Sequence, residues 1–228
     1  MSSIMMRIAG LAGGSHREMD RSRRHSKALV VVVALLLLPS AVRAECRLAI
    51  LGDSLTAGYG VAAGDAFPVR LEAALAKIGT PCTVVDAGVS GDTSAGGAAR
   101  VDWVLADRPT HLMVELGGND ALRGLPPAEM EANLRRIIEA ATAAKVPVML
   151  AGMLAPPNLG RDYGDAFAAV FGHLAEQYRV PLYPFFLDGV AGNRDLIQED
   201  GIHPNRAGVE VIVERITPAV SRWLQDQD

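Results

Sequence analysis

Residues 47–58 read RLAILGDSLTAG: an apolar run, then Gly52-Asp53-Ser54, where the chain turns. A short apolar run closed by a glycine turn is the pattern of a strand buried on both faces. Four later runs, 83–87 (TVVDA), 111–116 (HLMVEL), 146–151 (VPVMLA) and 180–183 (VPLY), are bounded in the same way by Gly, Pro or polar residues. Helical patterns separate them at about 66–78, 95–106, 127–144, 162–178 and 205–225. In the third, Met130, Leu134, Ile137, Ile138 and Ala141 recur at helical spacing, with Glu131, Arg135 and Glu139 opposite. Five strands alternating with five helices predict an α/β fold: a parallel sheet with helices on both faces, α/β/α in three layers. No repeat, low-complexity stretch or linker interrupts it, so residues 45–228 read as one domain.

Open parallel sheets bind ligands beyond the carboxyl ends of their strands. The loops that leave those ends carry Gly52-Asp53-Ser54-Leu55, Gly88-Val89-Ser90-Gly91-Asp92-Thr93, Gly117-Gly118-Asn119-Asp120 and Asp200-Gly201-Ile202-His203. A serine hydroxyl is a weak nucleophile until a base takes its proton, and a histidine base needs an acceptor on its second ring nitrogen. Ser54, His203 and Asp200 supply that set. The Ser54 and Gly91 N–H groups and the Asn119 side-chain amide are the candidate donors to an oxyanion. Each residue also has a plainer reading. Ser54 suits an N-cap, Gly91 a positive-φ turn, Asn119-Asp120 a helix cap and His203 a surface position, while Asp188, Asp195 and Glu199 rival Asp200. Four such loops on one rim favour the chemical reading.

Other chemistries are excluded. A G-x-S-x-G elbow would need glycine at position 56, which is Thr56, and there is no phosphate-binding P-loop. The glycines of residues 88–97 lack dinucleotide-binding spacing. Three histidines beyond residue 44 (His111, His173, His203) and two cysteines, without ligand spacing, predict no metal site. Cys46 and Cys82, each at the start of a strand, are either joined or free. Beyond residue 44, 15 Lys and Arg face 24 Asp and Glu, a formal charge of −9, which argues against nucleic acid as a partner.

Residues 1–44 differ in kind. Arg21, Arg23, Arg24 and Lys27 precede an apolar run over 28–38, and Val42-Arg43-Ala44 follows. This reads as a cleavable signal peptide cut after Ala44. Eleven apolar residues are too few for a spanning anchor, and Glu45 before Cys46 is unlike a lipoprotein site. The expected location is therefore the periplasm or the exterior, with no stable membrane anchor.

The four loops, in this order and at these separations, resemble the four blocks of the SGNH (GDSL) hydrolases over essentially all of residues 47–225. Ile50 to Tyr59, Val114 to Asp120, Leu122 to Gly124 and Asp200 to Arg206 resemble more narrowly a periplasmic subgroup of multifunctional acyl-CoA thioesterases, lysophospholipases and arylesterases. The resemblance implies a five-stranded flavodoxin-like sheet in the order 2-1-3-4-5 and neither metal nor organic cofactor. It implies Ser54 as nucleophile, Asp200 and His203 as its triad partners, and Gly91 and Asn119 as oxyanion donors. The segment 155–163 would shape an acyl pocket, with Leu122, Pro156, Leu159 and Tyr163 as substrate-binding candidates. Leu125, Pro126 and Val190 lie on or near the same loops. The expected enzyme is a monomer that hydrolyses small-molecule carboxylic esters, thioesters or lysolipids through an acyl-enzyme. An O-acetylesterase of cell-wall or exported polysaccharide is the alternative, and a non-catalytic acyl- or glycan-binding module a third reading.

Overall fold

A computed structural model describes residues 45–226. The expected signal peptide lies outside them. Five strands, β1 (Arg47–Gly52), β2 (Thr83–Gly88), β3 (His111–Glu115), β4 (Val148–Ala151) and β5 (Leu182–Tyr183), form a parallel sheet in the order β2-β1-β3-β4-β5. The helices among the described residues are α1 (Ser54–Ala57), α2 (Phe67–Lys77), α3 (Ser94–Ala106), α4 (Gly118–Leu122), α5 (Pro127–Ala143), α6 (Arg161–Tyr178) and α7 (Arg206–Asp226). Helix α2 packs on α7, while α5 packs on both α3 and α6, giving a helical layer on each side of the sheet. The centre of the sheet is dry: Leu48, Ile50, Leu51, Leu112, Met113 and Leu150 have no exposed surface.

Two strands start later than their sequence pattern predicts. β4 opens at Val148 and β5 at Leu182, each just after a proline. Pro147 and Pro181 have no N–H to give to a ladder. Their carbonyls still accept, from Leu112 N (2.9 Å) and Leu150 N (2.9 Å), so each proline marks the strand's edge without leaving the sheet. β1 is flanked by β2 on one side and β3 on the other, which makes its carboxyl end the topological switch point, where the loops diverge and leave a crevice.

Cys46 and Cys82 are joined by a disulfide that ties the residue before β1 to the residue before β2. The 36-residue separation sets the entropy the cross-link removes from the unfolded chain, about 4 kcal/mol. Cys46→Ser with Cys82→Ser is expected to lower Tm by about 10 °C, read by calorimetry. An unchanged Tm would mean that the bridge contributes nothing to stability.

Candidate active site

At the end of β1 the chain turns sharply. A Cβ on Gly52 would collide with Thr56 Oγ1 and come within 2.8 Å of Glu115 Oε2, so only glycine lets the strand pass that close to the first helical turn. Asp53 caps α1, its Oδ1 accepting from Leu55 N at 3.0 Å. Ser54 is therefore the first residue of a short helix at the switch point. Its hydroxyl lies 2.8 Å from His203 Nε2.

His203 comes from a loop 149 residues away that is stapled by its own polar groups. The His203 carbonyl accepts from Gln198 N (2.8 Å), and Gln198 Nε2 donates to Tyr59 O (2.8 Å) and Pro204 O (2.9 Å), tying the loop to the turn beyond Ser54. Gly201 takes φ +74°, the left-handed conformation that folds Asp200 back toward His203. Asp200 Oδ1 accepts from the N–H groups of Ile202 (2.9 Å) and His203 (3.0 Å), and Oδ2 lies 2.6 Å from His203 Nδ1. The Tyr59 ring covers the imidazole, centroids 4.5 Å apart.

These contacts fix the tautomer. Partial burial raises the Asp200 carboxyl, but the N–H groups of His203 and Ile202, together with the His203 ring, more than offset this and hold it at about 2. An ionised carboxylate only accepts, so Nδ1 carries the proton and donates to it. Nε2 then presents its lone pair to the Ser54 hydroxyl. Of the rival carboxylates, Asp188 pairs with Arg215 at 2.6 Å, and among the described residues the His203 ring hydrogen-bonds to Ser54 and Asp200 and to neither Asp195 nor Glu199.

The other two loops close on the same turn. Asn119, in the first turn of α4, donates from Nδ2 to Asp53 Oδ2 at 2.9 Å. Gly91 has φ +84° in the loop after β2, and its carbonyl accepts from Arg123 Nη2 at 2.8 Å. Arg100 braces that loop: Nε donates to Asp92 Oδ2 (2.6 Å), Nη1 to Ala87 O (2.7 Å) and Nη2 to Gly52 O (2.8 Å). Asp120, the residue after Asn119, is buried and accepts from both the N–H (2.8 Å) and the Oγ (2.6 Å) of Ser94, so its role is to seat the start of α3.

The substrate-binding candidates are less uniform. Leu122 is half exposed at the end of α4, and Pro156 and Leu159 are half-buried at a 3-10 turn over Pro157–Leu159. The Tyr163 hydroxyl is occupied, donating to Leu125 O at 2.8 Å, and its ring stacks on Phe167. Val190 lines no open groove: it has no exposed surface and belongs to the core. Among the described residues no group of His, Cys, Asp and Glu is arranged to hold a metal ion.

Sequence reading missed two buried carboxyls behind Ser54: Asp53 and Glu115. Glu115 Oε2 accepts from Thr56 Oγ1 (2.8 Å) and the Asp53 N–H (3.4 Å). Desolvation, then the nearby Asp53 charge, push it well above the usual carboxylate range. The signal for Glu115 was available: it is the one charged residue inside the run HLMVEL.

Comparison with known proteins shows the family. Residues 50–211 match the GDSL-like Lipase/Acylhydrolase family. The chain is 41% identical over 193 residues to Esterase TesA of Pseudomonas aeruginosa, covering 84% of this chain and 96% of that protein. It is 40% identical over 194 residues to Thioesterase 1/protease 1/lysophospholipase L1 of Escherichia coli K12, covering 85% and 88% respectively. Among solved structures, the psychrotrophic esterase EstA from Pseudoalteromonas sp., inhibited by monoethylphosphonate, superposes with a TM-score of 0.76 at 32% identity, covering 79% of this chain and all of that one.

Proposed function

The chain belongs to the GDSL-like lipase/acylhydrolase family, and from that premise we propose how it works as a serine esterase: Ser54 is the nucleophile, His203 its base and Asp200 the group that orients and stabilises the imidazolium. The continuous relay from Ser54 Oγ to His203 Nε2 (2.8 Å) and from Nδ1 to Asp200 Oδ2 (2.6 Å) carries this reading. His203 takes the serine proton as Oγ attacks the acyl carbon. The tetrahedral oxyanion is held by the Ser54 and Gly91 N–H groups and the Asn119 amide. Collapse expels the alcohol or thiol, protonated by His203, and water then releases the acid by the reverse sequence.

Relatives named as esterase, thioesterase, lysophospholipase and arylesterase support carboxylic esters, thioesters and lysolipids as the substrates. Leu122, Pro156, Leu159 and the ring of Tyr163 are our candidates for the acyl path. The test is a panel of esters and thioesters of graded acyl length, with active sites counted by phosphonate labelling. Turnover of none of them by folded, unlabelled protein, its active sites counted on a separate labelled aliquot, would refute the assignment. Asn119→Ala is expected to lower kcat about 100-fold with little change in KM, a loss of roughly 3 kcal/mol of transition-state stabilisation. Equal kcat would place the donor elsewhere.

We place the mature enzyme outside the cytoplasm. The basic and apolar leader supports this, and so does the Cys46–Cys82 disulfide, a bond that persists in oxidising compartments. Among the described residues no helix is long and apolar enough to cross a membrane.

A further inference from the structure

We propose that Asp53 is a positioning residue for the oxyanion amide: its carboxylate, wedged between the Leu55 N–H and Asn119 Nδ2, fixes how the Asn119 side chain faces the substrate. This rests on the reading of Asn119 as an oxyanion donor. Asp53 is buried beside the nucleophile and, among the described residues, forms no ion pair. A charged side chain is seldom kept in such a place for packing alone.

The two acceptors of Asp53 are matched to two donors. Oδ1 takes the Leu55 N–H at 3.0 Å, which sets the start of α1 and so the position of Ser54. Oδ2 takes one of the two Asn119 N–H bonds at 2.9 Å, leaving the other for the substrate oxygen. An acceptor-only partner also decides which end of the amide turns inward. With Nδ2 bound to Asp53 the amide cannot flip and offer its carbonyl to an oxyanion.

Glu115 behind it keeps this arrangement workable. It has no exposed surface, and among the described residues it has no cation, its Oε1 has no partner, and its Oε2 meets only Thr56 and the Asp53 N–H. Two adjacent buried carboxyls cannot both ionise cheaply, and the more buried one retains the proton. Burial raises Asp53 too, to about 6 against the lowering by the Leu55 N–H, the Asn119 amide and His203, and both of its oxygens accept from N–H donors, as a carboxylate does. One carboxylate thereby joins the nucleophile turn to the oxyanion donor on a different strand end.

The test is a double-mutant cycle on the full chain with a soluble aryl ester. Asp53→Asn keeps the shape but has one oxygen for two donors, so an NH2 must face either Leu55 N–H or Asn119. We expect kcat to fall 10- to 100-fold with KM within twofold, and the same change in an Asn119→Ala background to cost less than threefold. Asp53→Ser, which can still cap α1 but is too short to reach Asn119, should show the same loss with Tm nearly unchanged. Wild-type kcat in Asp53→Asn, or a loss equally large without Asn119, overturns the assignment. So does failure of both variants to fold, which would make Asp53 a residue of the fold alone. If Asn119→Ala by itself keeps full kcat, the oxyanion reading has failed and this one falls with it. A crippled Asn119→Ala beside an intact Asp53→Asn sinks only the role of Asp53.

Discussion

Ser54→Ala is expected to lower kcat on any ester substrate by on the order of 10⁵- to 10⁶-fold, the scale on which loss of a nucleophile abolishes the covalent route. Among the described residues the hydroxyl makes one hydrogen bond, to His203 Nε2, so its removal deletes the attacking atom and little else. The turn survives because its stabilising groups lie elsewhere. The Asp53 carboxylate caps α1, Thr56 bonds Glu115, and the Arg100 guanidinium holds the Gly52 carbonyl. Alanine is also the best helix former at a helical position. Tm should therefore change by no more than a degree or two while phosphonate labelling disappears. Intact-mass spectrometry checks the adduct and calorimetry the fold. A folded variant with measurable wild-type turnover would move the nucleophile to another residue.

The parallel sheet and the hydrogen-bonded set of Ser54, His203 and Asp200 were legible in the sequence for the same reason: each is announced by local chemistry. Apolar runs such as LAIL and HLMV must be buried on both faces, and the ligand crevice of such a sheet lies at their carboxyl ends, where Ser54, Gly91, Asn119 and His203 occur. Helices α1 and α4 were not legible, because five residues or fewer contain no period to detect. The second acceptor of Asp53 was also hidden. That it caps α1 can be guessed from its place before Ser54, but its bond to Asn119 joins residues 66 apart and depends on how two strand ends align. Val190 shows the opposite failure: an apolar residue near a rim loop reads as pocket lining, and only the packing reveals that it has no exposed surface. The disulfide was open for a similar reason. Two cysteines at strand starts can pair only if their strands are neighbours, and the β2–β1 pairing makes them so.

Asp200→Asn is expected to cut kcat by about 10⁴-fold while leaving KM and Tm close to wild type. The asparagine can keep Oδ1 as the acceptor for the N–H groups of Ile202 and His203, so the loop retains the two bonds that shape it. What changes is the group that meets His203 Nδ1. An amide NH2 donates where the carboxylate accepted, which drives the ring proton from Nδ1 to Nε2. Nε2 then points an N–H at Ser54 Oγ and has no lone pair with which to take the serine proton. The imidazolium that forms as Ser54 attacks also loses its counter-charge. The loss should therefore appear in both acylation and deacylation, and phosphonate labelling should slow rather than vanish, because the hydroxyl is still present. The pH profile separates this role from mere loop support. Because the wild-type Asp200 carboxyl is held at about 2, it stays ionised as pH falls through the working range, so the acid limb of activity does not come from its protonation. The variant should be depressed at every pH between 5 and 9 by a similar factor. A variant that recovers wild-type rates at alkaline pH would show that hydroxide can replace what Asp200 does, and that the carboxylate does not set the tautomer.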